Sequence, residues 1–188
     1  MSYNEYYSIS PVNFGFYAMI QNIVFVVLGL SSIGLALGLR MGLPSPRNRY
    51  LKLGVWSLVI FGLGILFSGL LPLIGVTLNY LVHVPYNLFS AIAFAVTFIA
   101  YIAAQMLIVE GLKDEDTVIW GKYRRYTRGS GFLFIILLIL LTLAIIYSFY
   151  PGVSERVFII LTWIWIFITG VKLYLISINR KPILNRWI

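Results

Sequence analysis

Cysteine is absent from this chain, histidine occurs once, and acidic residues number six among 188 positions. Each scarcity removes a class of chemistry. Without cysteine there is no disulfide, thiolate metal site, iron–sulfur cluster or thiol nucleophile within the chain. One histidine, with no Cys, Asp or Glu at ligand spacing, cannot supply the three or four protein ligands of a zinc centre. Nor can it fill both axial positions of a b-type haem. Charged residues make up 11% of the sequence, against about 25% in a soluble domain. Too little polar surface exists to cover a water-facing globule. No acidic residue falls near the middle of a long apolar run, which argues against a pump or ion pathway built on carboxylates. No phosphate-binding loop, Ser/His/Asp set or zinc-protease helix is present. Neither a cofactor nor a metal is expected, and no catalytic residue is specified. The opening segment MSYNEYYSISPVN has no basic residue and no apolar core, so no cleavable signal peptide is expected there.

What is present is hydrophobic, at 61% of residues. Five apolar segments stand out, over about 14–39, 51–73, 82–109, 131–150 and 154–178 (spans A to E). Each is near the ~20 residues that a helix needs to cross a bilayer. The chain is therefore expected to be an all-α membrane protein, a five-transmembrane-helix bundle in one domain over 1–188, resident in the cell membrane. All basic residues except Arg156 fall in the A–B loop, the C–D loop or at and after the inner end of span E. The bias of Lys and Arg towards cytoplasmic loops then places the N-terminus outside and the C-terminus in the cytoplasm. The net charge of +8 is matched to the anionic cytoplasmic leaflet of a lipid bilayer, and no nucleic acid is expected.

Local signals support these boundaries. Pro44 and Pro46 follow span A, Pro151-Gly152 marks a turn between D and E, and Ser154 is placed to cap span E. Tyr50, Trp56, Trp120, Tyr123 and Tyr126 are expected at the inner interface, where amphipathic rings prefer to lie. Small residues mark contact faces: Gly34 and Gly38 in A, Gly62, Gly64 and Gly69 in B, and Ala91, Ala95, Ala100, Ala103 and Ala104 in C. The same faces serve internal packing, a homo-oligomer or other membrane subunits. The segment IILLILLTLAII in span D reads as facing lipid.

The candidate site is polar and lies in the outer half. His83 sits at the start of span C, with Asn79 and Asn87 four residues to either side. Gln21 and Asn22 lie at matching depth in span A and must find partners in hydrocarbon. With Arg156 of the D–E turn they form the candidate cluster His83, Asn87, Gln21, Asn22 and Arg156. Three roles stay open for His83: interfacial hydrogen bonding, contact with a ligand or headgroup, and metal binding, for which it lacks co-ligands. At the inner end, Glu110 stands three residues from Lys113, and a Glu110–Lys172 pair is conceivable. The C–D loop joins an acidic cluster (Asp114, Glu115, Asp116) to a basic one (Lys122, Arg124, Arg125, Arg128), expected against anionic lipid or a cytoplasmic partner.

Three stretches resemble a family of small multi-pass membrane proteins, domain-of-unknown-function family 998. They are ISPVNFGFYAMIQNIVFVVLGLSSIGLALGLR, then GVWSLVIFGLGILFSGLLP with HVPYNLFSAIAF, and PGVSERVFIILTWIWIFITGVKLY. The family generally has six spans, and the resemblance begins after the first, leaving five. It implies a helical bundle with no established activity, and His83 and Arg156 match its recurring polar residues. The leading functional expectation is an accessory or structural subunit of a membrane complex, or a lipid-interacting protein. The rivals are an intramembrane lipid-modifying enzyme using the cluster around His83, and a small transporter or channel subunit.

Overall fold

The computed structural model describes residues 16–42, 48–73, 86–113, 117–147 and 151–184, with side chains described for 19–42, 48–70, 95–113, 119–144, 147 and 156–178. These residues form α1 (Phe16–Gly42), α2 (Arg49–Leu73), α3 (Tyr86–Gly111), α4 (Thr117–Ile146) and α5 (Pro151–Leu184). Long apolar stretches favour helix because lipid offers no partners to backbone N–H and C=O, and a helix satisfies both internally.

Consecutive helices run antiparallel. Gly69 of α2 abuts Asn22 and Phe25 of α1, and Gly62 abuts Gly29 and Ile33. Gly54 and Gly64 of α2 face Ile108 and Thr97 of α3. Tyr101 of α3 meets Phe134 of α4, and Phe134 meets Phe158 of α5. The last helix returns to the first, with Gly38 and Gly42 of α1 against Leu173. The C-terminal ends of α1, α3 and α5 therefore lie with the N-terminal ends of α2 and α4. Arg40, Arg49, Lys52, Lys113, Lys122, Arg124, Arg125 and Lys172 are gathered near that end, while Arg156 stands at the other.

Tyr101, Trp120, Trp165, Phe61, Phe98, Phe134 and Phe158 form the interior. The outer surface is just as apolar. Leu30, Trp56, Phe67, Ile136, Ile139 and Phe167 are all more than half exposed. A surface this apolar is unsuited to water and suited to acyl chains. Among the described residues, four helices are long and apolar enough to cross a membrane: Met19–Gly42, Arg49–Leu70, Ile119–Ala144 and Arg156–Ile178. The chain is a multi-pass integral membrane protein.

Four, not five, corrects the expected five-transmembrane-helix bundle. α3 runs Tyr86–Gly111 with its side chains described from Ala95 onward, and that apolar stretch, Ala95–Gly111, is not among the four. Its hydrophobicity answers to neighbouring helices as much as to lipid. Phe98, Tyr101, Ile102, Ala104, Gln105, Ile108 and Val109 are all buried, wedged between α2 and α4. The N-terminus outside and the C-terminus in the cytoplasm were expected from the Lys and Arg bias read over five spans; a count of four does not support placing the two ends on opposite sides, and the bias then speaks only to the cationic end.

Two helix starts also differ from expectation. The basic cluster Lys122, Arg124, Arg125 and Arg128 lies on α4, not in a loop, because hydropathy ends at a charge but a helix need not. Pro151 opens α5, its fixed φ and missing N–H suiting a first helical position, so Ser154 lies inside the helix rather than capping it. Pro44 and Pro46 lie outside the described residues, beyond the end of α1 at Gly42.

Candidate functional site

The outer cluster is only partly described. Gln21 and Asn22 are half-buried on α1, and Arg156 is exposed on α5. His83 and the side chain of Asn87 lie outside the described residues. At the cationic end, Glu110 pairs with Lys113 at 3.3 Å. Lys172 instead sits with its Nζ 6.0 Å from the centre of the Trp120 ring.

The polar groups that do converge are on α3, α4 and α5. On α4, Tyr123, Thr127 and Ser130 recur at helical spacing along one stripe. On α3, Tyr101 and Gln105 are one turn apart. On α5, Thr162, Trp165 and Thr169 share a face. Tyr123 Oη lies 2.9 Å from Thr169 Oγ1. Thr169 Oγ1 donates its own proton to the Trp165 carbonyl at 2.7 Å, so Tyr123 is the donor to Thr169. Ser130 Oγ lies 3.1 Å from Gln105 Oε1 and 2.9 Å from the Thr127 carbonyl, and its single proton is shared between them. The Tyr101 hydroxyl stands beside Thr162 and Gln105 without a bond of proper geometry. Tyr101 Oη, Gln105 Nε2, Thr127 Oγ1 and Trp165 Nε1 are all buried and unpartnered.

Aromatic rings close this seam on the side away from the cationic end. The Tyr101 ring stands perpendicular to Phe134 at 4.8 Å and to Trp165 at 5.6 Å. Phe158 packs against Phe98 at 4.1 Å. The two Tyr101 contacts have the edge-to-face geometry that ring quadrupoles favour, and the Phe98–Phe158 pair is tilted.

Alongside the seam, α4 and α5 part to leave an open surface groove of about 410 Å³. Arg125 and Tyr126 stand at its cationic end. Leu133, Phe134, Leu161 and Ile164 form its apolar walls, and Ser130 and Trp165 are common to groove and seam. Gly129 also lines the groove, and a Cβ there would meet nothing within 4 Å. The arrangement joins one guanidinium to an apolar channel, with hydrogen-bonding groups behind it. Among the described residues no group of three metal-ligating side chains occurs.

A family model described as protein of unknown function (DUF998) matches residues 5–172. The chain belongs to this family. No curated protein and no solved structure matches the DUF998 chain. The match runs from before α1 to Lys172 on α5, so seam and groove both lie inside the DUF998 region.

The seam was not legible in the sequence. Trp120 and Tyr123, expected at the inner interface, are buried in the DUF998 fold. The signal was the spacing of Tyr123, Thr127 and Ser130, which a loop reading of 117–130 concealed.

Proposed function

We propose that this DUF998 protein is a lipid-interacting membrane protein that seats an acyl chain of an anionic lipid in the α4–α5 groove, with the headgroup at Arg125. One observation carries the reading: the groove has a cation at one end and apolar walls along the rest. Charge complementarity selects the occupant. Lys122, Arg124 and Arg128 stand on the same stretch of α4 as Arg125, and the Lys and Arg bias assigns this end to the anionic cytoplasmic leaflet. The exposed apolar rows on α4 and α5 support an opening that faces lipid, from which the ligand enters by lateral diffusion. Nothing among the described residues favours the enzymatic reading around His83. The absence of charged side chains from the seam speaks against an ion channel.

Retention of lipid by the detergent-purified protein, measured by native mass spectrometry, tests the reading. Phosphatidylglycerol is expected to be retained in preference to phosphatidylcholine. Arg125→Gln lowers that preference about fivefold, the loss of roughly 1 kcal/mol for one basic residue near an anionic surface. Gly129→Leu adds a side chain at a groove-lining position where a Cβ has open space and is expected to abolish retention. Equal retention of the two lipids, unchanged in both variants, would overturn the proposal.

A further inference from the structure

We infer that the seam between α3, α4 and α5 binds an uncharged hydrogen-bonding group, supplied either by water or by the ester carbonyl of a lipid in the adjoining groove. The lipid source rests on the lipid-seating reading above; the water source does not.

The contrast with other hydroxyls in the bundle carries the argument. Ser32, Ser68, Thr142, Thr162 and Thr169 each donate to the carbonyl four residues back in their own helix, at 2.7–2.9 Å. That bond is open to any helical Ser or Thr and removes the penalty of a bare hydroxyl in a membrane. Thr127 has the same option, since Tyr123 is four residues back on α4, and does not take it. It shares this with Tyr101, Gln105 and Trp165, the other buried side chains with unpartnered polar atoms among the described residues, and Ser130 links Gln105 to the Thr127 carbonyl. Such groups are rare in folded proteins, and several in one place indicate a missing partner. Two of the four atoms are N–H donors, Gln105 Nε2 and Trp165 Nε1, so the partner carries an accepting oxygen. No charged side chain stands among Tyr101, Gln105, Thr127, Ser130, Thr162 and Trp165, so an ion would be buried there without compensation. An uncharged partner fits.

Access is built into the same helices. Ser130 and Trp165 border both seam and groove. Gly131 of α4 packs against Met106 and Gln105 of α3, whereas Gly121, Gly129 and Gly170 of α4 and α5 have no neighbour within 4 Å of a Cβ position. The groove is therefore the side from which a partner reaches Ser130 and Trp165.

The sign of a stability change decides the matter. Tyr101→Phe and Thr127→Val remove one hydroxyl each at nearly constant shape. If the seam is dry, the double variant loses two unpaired polar groups and its unfolding temperature in phosphatidylglycerol nanodiscs rises. If the seam is occupied, bonded groups are lost and the temperature falls by about 2–4 °C or more. The wild-type protein supplies a second measurement through the indole ¹⁵N–¹H signal of Trp165, assigned by its loss in Trp165→Phe. A cross-peak from that proton to water identifies water as the partner. A cross-peak to lipid that vanishes in ether-linked phosphatidylglycerol identifies the ester carbonyl. A rise in unfolding temperature, with neither cross-peak, would overturn the inference. Failure of the lipid-seating reading registers separately, as lipid retention unaffected by Gly129→Leu.

Discussion

Asn48 shows how one side chain can tie two helices at the cationic end. Its Nδ2 donates to the Gly111 carbonyl at the end of α3, at 2.9 Å, while its Oδ1 accepts the Tyr50 N–H at the start of α2, at 3.0 Å. The first bond satisfies an orphan carbonyl and the second an orphan amide, the groups that every helix end leaves bare. Arg124 does similar work from α4, donating to the Lys113 carbonyl at 3.3 Å just past the end of α3, where a cation also meets the negative end of the helix dipole. Asn48→Ala is expected to destabilise the protein by about 1–2 kcal/mol. Asn48→Asp keeps the cap and loses only the donor to Gly111, so it costs less. Thermal unfolding in detergent ranks the three proteins, and equal stability of all three would refute this account of the residue. In the sequence, Asn48 was hidden in a loop between Pro46 and span B.

At the scale of helices, the tightest seam is α1 against α2. A Cβ at Gly29 would lie 2.7 Å from the Gly62 carbonyl oxygen and 2.7 Å from the Leu66 backbone nitrogen. Backbone cannot yield there, so Gly29→Ala must push the helices apart, at an expected cost of about 1–3 kcal/mol. Gly34 is open, and Gly34→Ala is expected to be neutral or stabilising by about 0.5–1 kcal/mol, since alanine is the better helix former. Opposite signs in thermal unfolding are the outcome to look for. The heptad-spaced Gly62 and Gly69 were legible as a contact face. Gly29 was not, because the Gly34–Gly38 spacing matched the familiar motif and spacing alone does not say which face meets a neighbour. The five helices were legible from their apolar runs. Their crossing count was not, since the apolar residues of α3 divide between packing and surface: Phe98, Tyr101 and Ile108 are buried, while Val96 and Ile99 are exposed. The start of α4 was missed for the opposite reason, its charges masking a helix that continues into the headgroup region.

Taken as a whole, the molecule has two kinds of packing. The α1–α2–α3 unit makes the most extensive contacts and closes through glycines. The α4–α5 pair is spaced by large rings and leaves a groove beside a polar seam. The outer-half cluster around His83 was the site the sequence drew attention to, because histidine and asparagine stand out in an apolar chain. Tyrosine, threonine and tryptophan do not stand out, yet they form the polar interior once three helices face one another. Photo-crosslinking with an anionic phospholipid bearing a light-activated acyl chain, with the attachment sites mapped by mass spectrometry, tests the lipid seat most directly. Label is predicted to concentrate on Leu133, Leu161 and Ile164 of the α4–α5 groove and to fall in Gly129→Leu. Label spread evenly over the exposed residues of α1 and α2, such as Leu30, Trp56 and Phe67, and unchanged by that substitution, would contradict it.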